Sequence, residues 1–222
     1  MSVYLNQKRF FEEAYRTGEH GWPTADPSRF VIEFLRTFRK ESPRGRILDI
    51  GCGEGRHTLL FAGAAYTAIG MDLQPLAIQR AREYARSEKL KGRFKFVLGD
   101  VFALPFRPGG FDVIIDYGCL HHVMKKDFPR YLENTLPLLR SGGYFLLSCF
   151  SSKFKHHPGE RRRRDWMVHR GHYDRFFRKG DFRRLFGKFY DILKTSEERD
   201  RVHPYYVFHH VLMRRKCQTS PF

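Results

Sequence analysis

The stretch Ile47-Leu48-Asp49-Ile50-Gly51-Cys52-Gly53-Glu54-Gly55-Arg56-His57-Thr58 decides the fold. A short apolar strand carrying one acid, Asp49, runs into three glycines at alternate positions, and a helical pattern begins directly after them. Glycine lets the backbone turn sharply and lets a ligand lie against bare main chain. The helix that follows points its free N–H groups into the same crevice. Such a loop at the carboxyl end of a first strand predicts an α/β chain with a nucleotide-type site.

The spacing separates the possible nucleotides. A dinucleotide loop needs a third glycine at the sixth position of the motif, and here that position is Arg56. A bulky side chain there opposes close strand–helix packing and pyrophosphate approach. Asp49, two residues before the first glycine, would also repel a pyrophosphate. An acid at that place suits a ligand with a positive amino group. S-adenosylmethionine (SAM) carries an ammonium, a sulfonium and no phosphate, so the loop favours SAM over NAD.

The next segments repeat the theme of strands ending in acids. Tyr66 to Asp72 reads as a second strand, and Asp72 lies about 20 residues past the first glycine, as expected for an acid on ribose hydroxyls. Leu73 follows and is placed to pack on an adenine. Phe94 to Leu98 reads as a third strand, followed by Gly99, Asp100, Val101 and Phe102, with Asp100 a candidate acceptor for the adenine amino group. Phe111 to Asp116 is a fourth strand, Asp127 to Leu139 a helical run, and Gly143 to Phe150 a fifth strand. Alternation of strand and helix over 46–150 implies a parallel, doubly wound sheet with right-handed crossovers.

The phrases LDIGCGEGRHT, GMDLQPLAI, GDVFALPF, FDVIIDYGCLHHV and LLRSGGYFLLSCF stand in one order. In that order residues 47–151 resemble the core of a class I SAM-dependent methyltransferase. Within that superfamily, Phe10 to Trp22 and Ile115 to His122 resemble the thiopurine S-methyltransferase and tellurite-resistance-type enzymes. The resemblance implies a Rossmann-like seven-stranded sheet whose last strand is antiparallel. It implies Gly51, Cys52 and Gly53 under the methionine part of SAM, with Asp49 near its amino group. It places Asp72 and Leu73 at the ribose and adenine and Asp100, Val101 and Phe102 at the adenine edge, and Asp116 is counted among the cofactor-binding residues.

One domain of 222 residues is expected, with a helical N-terminal cover over 1–45, the SAM-binding core over 46–150, a basic cap loop over 151–178, and a helix with a strand hairpin over 179–216. In the last part, Asp181 to Phe186 reads as a helix, and Lys188 to Lys194 and Tyr205 to Met213 as strands joined by 195–204. Ser151 to Arg170 shows no apolar periodicity and reads as a functional loop. No apolar run reaches the roughly 18 residues of a membrane span, and no signal peptide is read. Cys52, Cys119, Cys149 and Cys217 show no metal-binding spacing, no metal-ligand set is read, and a reducing, cytoplasmic setting is expected.

The formal net charge is +17. From Lys153 to Lys216 there are 19 Lys/Arg against 8 Asp/Glu, and the peak is Arg161-Arg162-Arg163-Arg164. Aromatic residues, Trp166 and Tyr173 among them, are mixed into this segment. Such a region fits RNA or another polyanion; it fits equally a solvated surface or a cap over the substrate.

Methyl transfer from a sulfonium is an in-line displacement. It needs alignment and exclusion of water, and alignment alone supplies on the order of 7–11 kcal/mol in favourable systems. It needs no metal. A soft nucleophile such as a thiol needs little more, whereas an oxygen or amine more often wants a base. The candidate catalytic groups are Asp116, Tyr117, His121 and His122, at the end of the fourth strand. Tyr4, Tyr15, Trp22 and Trp166 are candidate lid or substrate residues. The turn Asp116-Tyr117-Gly118 is not the Asn/Asp-Pro-Pro-aromatic turn used for amino groups of nucleic-acid bases. Three readings follow: a small-molecule methyltransferase, acting at sulfur or another soft heteroatom; an RNA or protein methyltransferase gripping its substrate through 153–216; and a non-catalytic SAM-binding module.

Overall fold

The computed structural model describes residues 3–18, 26–200 and 203–217. A helix α1 (Val3–Thr17) and a helix α2 (Arg29–Glu41) precede the sheet. Ser28 caps α2 through its hydroxyl, which accepts from Val31 N at 3.3 Å. Then come β1 (Arg46–Ile50), α3 (Arg56–Gly63), β2 (Thr67–Asp72), α4 (Pro75–Ser87), β3 (Arg93–Leu98), β4 (Phe111–Tyr117), α5 (Phe128–Thr135) and β5 (Leu139–Phe150). The chain ends with β6 (Trp166–His169), β7 (His172–Arg175), α6 (Lys179–Phe186), β8 (Tyr190–Arg199) and β9 (Val207–Arg215).

Seven strands form one sheet in the order β3-β2-β1-β4-β5-β9-β8. The first five are parallel, and β9 runs antiparallel to both β5 and β8. This is the Rossmann-like seven-stranded sheet that the resemblance implies, with its antiparallel strand. Chain order reverses between β1 and β4, so the crevice opens at their carboxyl ends, where the glycine loop leaves β1.

Alternation along each strand fills both faces. Ile47 and Ile115 pack with Val31, Phe34, Phe38 and Phe61 on the α2/α3 face. Their neighbours Leu48 and Ile114 pack with Phe128, Tyr131, Phe182 and Phe186 on the α5/α6 face. A smaller cluster seats Ile78, Ala81 and Ala85 of α4 against Cys52, Leu59 and Phe96. Among the described residues no helix is long and apolar enough to cross a membrane.

The differences from the sequence reading lie after β5. The helical run expected over 127–139 ends at Thr135, because Pro137 follows in a 3-10 turn. The closing strands are longer than expected, Tyr190–Arg199 and Val207–Arg215, so their connection shortens to 200–206. The segment 151–170 is not a structureless loop. Its end forms β6, which pairs antiparallel with β7 through the turn His169-Arg170-Gly171-His172. Both central residues of that turn have positive φ, Arg170 at 48° and Gly171 at 87°, which matches the twist of a tight hairpin.

Candidate active site

The site grows from the β1–α3 loop. Gly51 and Gly53 both lie in the left-handed region, at φ 67° and 56°. A Cβ on Gly51 would stand 3.1 Å from the Cys119 Cβ, so the turn after β4 abuts the glycine loop. Cys52 lies beneath, its N–H donating to Met71 O at 2.9 Å, and burial pushes its thiol well up. Asp49 is buried at the end of β1. Its Oδ2 accepts from Thr58 N at 3.1 Å and Thr58 Oγ1 at 2.7 Å, in the first turn of α3. Burial nevertheless raises the carboxyl to about 7.

Asp72 ends β2 and faces the same loop. Its Oδ2 accepts from Gly53 N at 2.9 Å and its Oδ1 from Gln74 N at 2.8 Å. Burial raises this carboxyl, against the lowering effect of those amides. Leu73 is exposed beside it. Asp100 stands exposed after β3 and accepts from Phe102 N at 2.8 Å, which folds Val101 and Phe102 into a tight turn. Three carboxylates thus stand at the ends of the three strands on one side of the crevice, as the sequence predicts. Arg56 turns away from the loop and lays its guanidinium 4.9 Å from the centre of the Tyr117 ring.

The residues after β4 divide. Asp116 is fully buried and saturated: Oδ1 accepts from Cys119 N at 2.9 Å and Leu120 N at 3.1 Å, and Oδ2 from Tyr131 Oη at 2.7 Å. Burial raises it to about 6. Its geometry is that of an anchor for the following turn. Tyr117, one residue on, points to the other face of the sheet, against His57 and His210, and burial raises its hydroxyl. Adjacent strand residues face opposite sides, so the pair cannot address one substrate together.

His121 and His122 lie in a 3-10 turn over Leu120–His122. His121 is buried and stacks on Phe150 at 3.6 Å. Its Nδ1 has no hydrogen-bond partner, and burial holds the ring well below the usual imidazole range, so it is neutral. His122 is partly buried, with its Nδ1 3.1 Å from Tyr173 O.

Helix α1 covers both halves of this site. At one end Tyr15 is buried, and Gln74 and Arg80 of α4 donate to the carbonyls of Lys8 and Tyr15. At the other, Tyr4 Oη donates to Asp127 Oδ2 at 2.9 Å and accepts from Met124 N at 3.0 Å. Between them Gln7 bridges two elements, donating to His122 O at 3.1 Å and accepting from Tyr173 N at 3.2 Å. Phe10 stacks on His172 and Phe11 meets His122 edge-on. Of the expected lid residues, Tyr15 lies at the glycine loop, Trp22 is outside the described residues, and Trp166 is elsewhere. Trp166 lines a basic cleft of about 530 Å³ with Lys125, Arg163, Arg164, Arg178 and Arg184.

The arginine run is not uniform. Arg161, Arg163 and Arg164 are exposed. Arg162 folds inward, pairs with the buried Glu160 at 2.9 Å, donates to the carbonyls of Ser152 and Phe154, and covers the Phe176 ring at 3.4 Å. Sequence reasoning missed Thr58, Gln7, His172 and Asp174. The last two were discoverable as a His-x-Asp pair on a strand, although hydrophobic alternation gave no cue to that strand.

A methyltransferase-domain family model matches residues 47–143. An uncharacterized methyltransferase of Schizosaccharomyces pombe is 30% identical over 124 residues, covering 56% of this chain and 81% of the relative. The 2-heptyl-1-hydroxyquinolin-4(1H)-one methyltransferase of Mycobacteroides abscessus is 27% identical over 152 residues, 65% of each chain. Among solved structures, the 1,6-didemethyltoxoflavin-N1-methyltransferase of Burkholderia thailandensis, with S-adenosylhomocysteine bound, superposes with a TM-score of 0.75 at 21% identity, covering 96% of this chain and 89% of that one.

Proposed function

The chain belongs to the class I SAM-dependent methyltransferases, and on that premise we propose that it methylates a small aromatic molecule at sulfur or another soft heteroatom. The observation that carries this reading is the cluster of rings packed beside the turn after β4. It consists of aromatic rings and imidazoles, Phe10, Phe11, His121, His122, Phe150 and His172, roofed by α1. Stacked rings at such spacing favour a flat, largely uncharged ligand.

In this reading Gly51 and Gly53 carry the methionine part of SAM, Asp49 meets its ammonium, Asp72 its ribose, and the turn 100–102 its adenine. The methyl carbon then faces that cluster. Asp116 and Tyr131 fix the turn that aligns the acceptor, and α1 excludes water. Asp116 is fully engaged and Tyr117 is turned away, so a nucleophile that needs no strong base fits best. Buried His121, held neutral, offers an uncharged aromatic face rather than a base. The small-molecule methyltransferases among the relatives lend support to an acceptor of this size.

Methyl-labelled SAM offered with a panel of aromatic thiols, hydroxyquinolines and N-heterocycles, and separately with cellular RNA, tests the reading. Label is expected on a member of the small-molecule panel. Transfer to RNA alone would replace this reading with the macromolecular one.

A further inference from the structure

Asp174 on β7 is completely buried, and three imidazoles converge on it. His122 Nδ1 lies 3.0 Å from its Oδ1, and His156 Nε2 and His172 Nε2 lie 2.9 and 3.1 Å from its Oδ2. Despite those distances, neither carboxylate oxygen receives an aligned hydrogen bond, and His156 Nε2 and His172 Nδ1 have no hydrogen-bond partner either. A buried carboxylate without aligned donors is costly. The donors are close, but they do not point at one another.

We propose that His122, His172 and Asp174 form a binding site for a divalent transition-metal ion, with His156 alongside. One ring nitrogen each of His122 and His172 and one oxygen of Asp174 lie within 4.8 Å of one another. With metal–ligand bonds of about 2.1 Å, neighbouring donors around one ion stand roughly 3.0–3.5 Å apart. The closest contacts between Asp174 and the two histidines are already at that spacing, one to each carboxylate oxygen, and the ion would take the place of Tyr173 O at His122 Nδ1. Two imidazoles and one carboxylate select zinc, iron, manganese, cobalt or nickel over magnesium and calcium, which prefer all-oxygen sets.

The surroundings are those of a built site. Phe10 stacks on His172 at 4.0 Å, Phe11 meets His122 at 5.0 Å, and His169 stacks on His156 at 4.0 Å. Rings held this way keep their orientation and exclude water, which raises the affinity of the donors they support. The ligands come from the turn after β4 and from β7, so an ion would fasten the β6–β7 hairpin to the acceptor end of the sheet. The site does not depend on which acceptor is methylated.

The test uses the full chain, stripped with a chelator and then titrated with Zn²⁺ or Co²⁺ alone. About one ion per chain is expected by elemental analysis, with visible cobalt bands of a mixed nitrogen–oxygen site and a metal-dependent rise in melting temperature. His172→Gln and Asp174→Asn should weaken cobalt binding by about 100-fold or more, while His203→Gln, at an exposed histidine of the β8–β9 connection, leaves it within about threefold. SAM binding by the same preparations reports separately on the fold and on the methyltransferase reading. A wild-type chain that takes up no stoichiometric ion at micromolar free metal overturns the proposal. So does a folded His172→Gln chain that binds as wild type does, which would leave Asp174 as a structural partner of the three imidazoles. If Asp174→Asn does not fold, the wild-type stoichiometry and the His122→Gln and His172→Gln chains decide.

Discussion

The Tyr15 hydroxyl lies 3.1 Å from the point where a Cβ on Gly53 would stand. The glycine loop is therefore closed on its open side by α1 as well as on its floor by β1. Gly53→Val should abolish SAM binding, because the added side chain meets Tyr15 and fills the ligand's path. The left-handed backbone adds a cost of about 1–2 kcal/mol, so the chain should melt a few degrees lower but keep its circular dichroism. Calorimetry showing intact SAM affinity in a folded variant would place the cofactor elsewhere.

Asp72 holds the loop through Gly53 N and the start of α4 through Gln74 N. Asp72→Ala removes both acceptors as well as the proposed ribose contact. SAM affinity should fall by about 1.5–3 kcal/mol, the range for a lost hydrogen bond to a charged group. Asp72→Asn, which keeps one carbonyl oxygen, should lose less stability than Asp72→Ala. Equal SAM affinity in wild type and Asp72→Ala would remove the ribose role.

Asp49 makes a pH prediction with a definite sign. Its folded carboxyl sits at about 7, above its unfolded value. Between about pH 4 and 7 the native chain holds a proton that the unfolded chain has released, so stability falls as pH rises through that window. Asp116, raised to about 6, contributes in the same direction and stops near pH 6. Asp49→Asn should therefore flatten the melting-temperature profile across about pH 4 to 7, and between pH 6 and 7 it removes the larger share of the slope from this pair. Because an ammonium favours the carboxylate, SAM affinity of the wild type should rise from pH 6 to 7.5 with release of a proton, and this rise should vanish in Asp49→Asn. Affinity that falls over that range in the wild type contradicts the contact.

The arginine run separates into one structural and three surface members. Arg162→Ala strands the buried Glu160 and should destabilise the chain by about 2–4 kcal/mol. Arg161, Arg163 and Arg164 replaced together by serine should leave stability within about 0.5 kcal/mol and SAM affinity unchanged. Denaturant melts of the two variants check the split. If the acceptor proves to be RNA, the triple variant alone should also flatten the salt dependence of RNA binding.

The glycine loop and the strand-end acids were legible because they are written locally. Glycines at fixed offsets from a strand, and an acid at each strand end, leave little freedom to the chain between them. The cluster beside the turn after β4 was legible only in His121 and His122. His122, His156, His172 and Asp174 are distant in sequence and meet only after α1, the turn after β4 and the hairpin have docked. The hairpin itself was hidden because β7 buries the polar residues Asp174 and Arg175, where apolar alternation would have marked a strand. Tyr117 was assigned to the acceptor by proximity in sequence to Asp116, although the pleat sends the two side chains to opposite faces.

Gln7 clasps the turn after β4 and the hairpin with one amide, while Tyr15, two helical turns along, shuts the glycine loop. One rigid helix thereby guards two doors. If α1 lifts as one body, moving Tyr15 off the glycine loop also breaks the Gln7 clasp at the other end. Departure of S-adenosylhomocysteine and departure of the methylated product would then share a single rate constant, and a turnover limited by one would be limited by both.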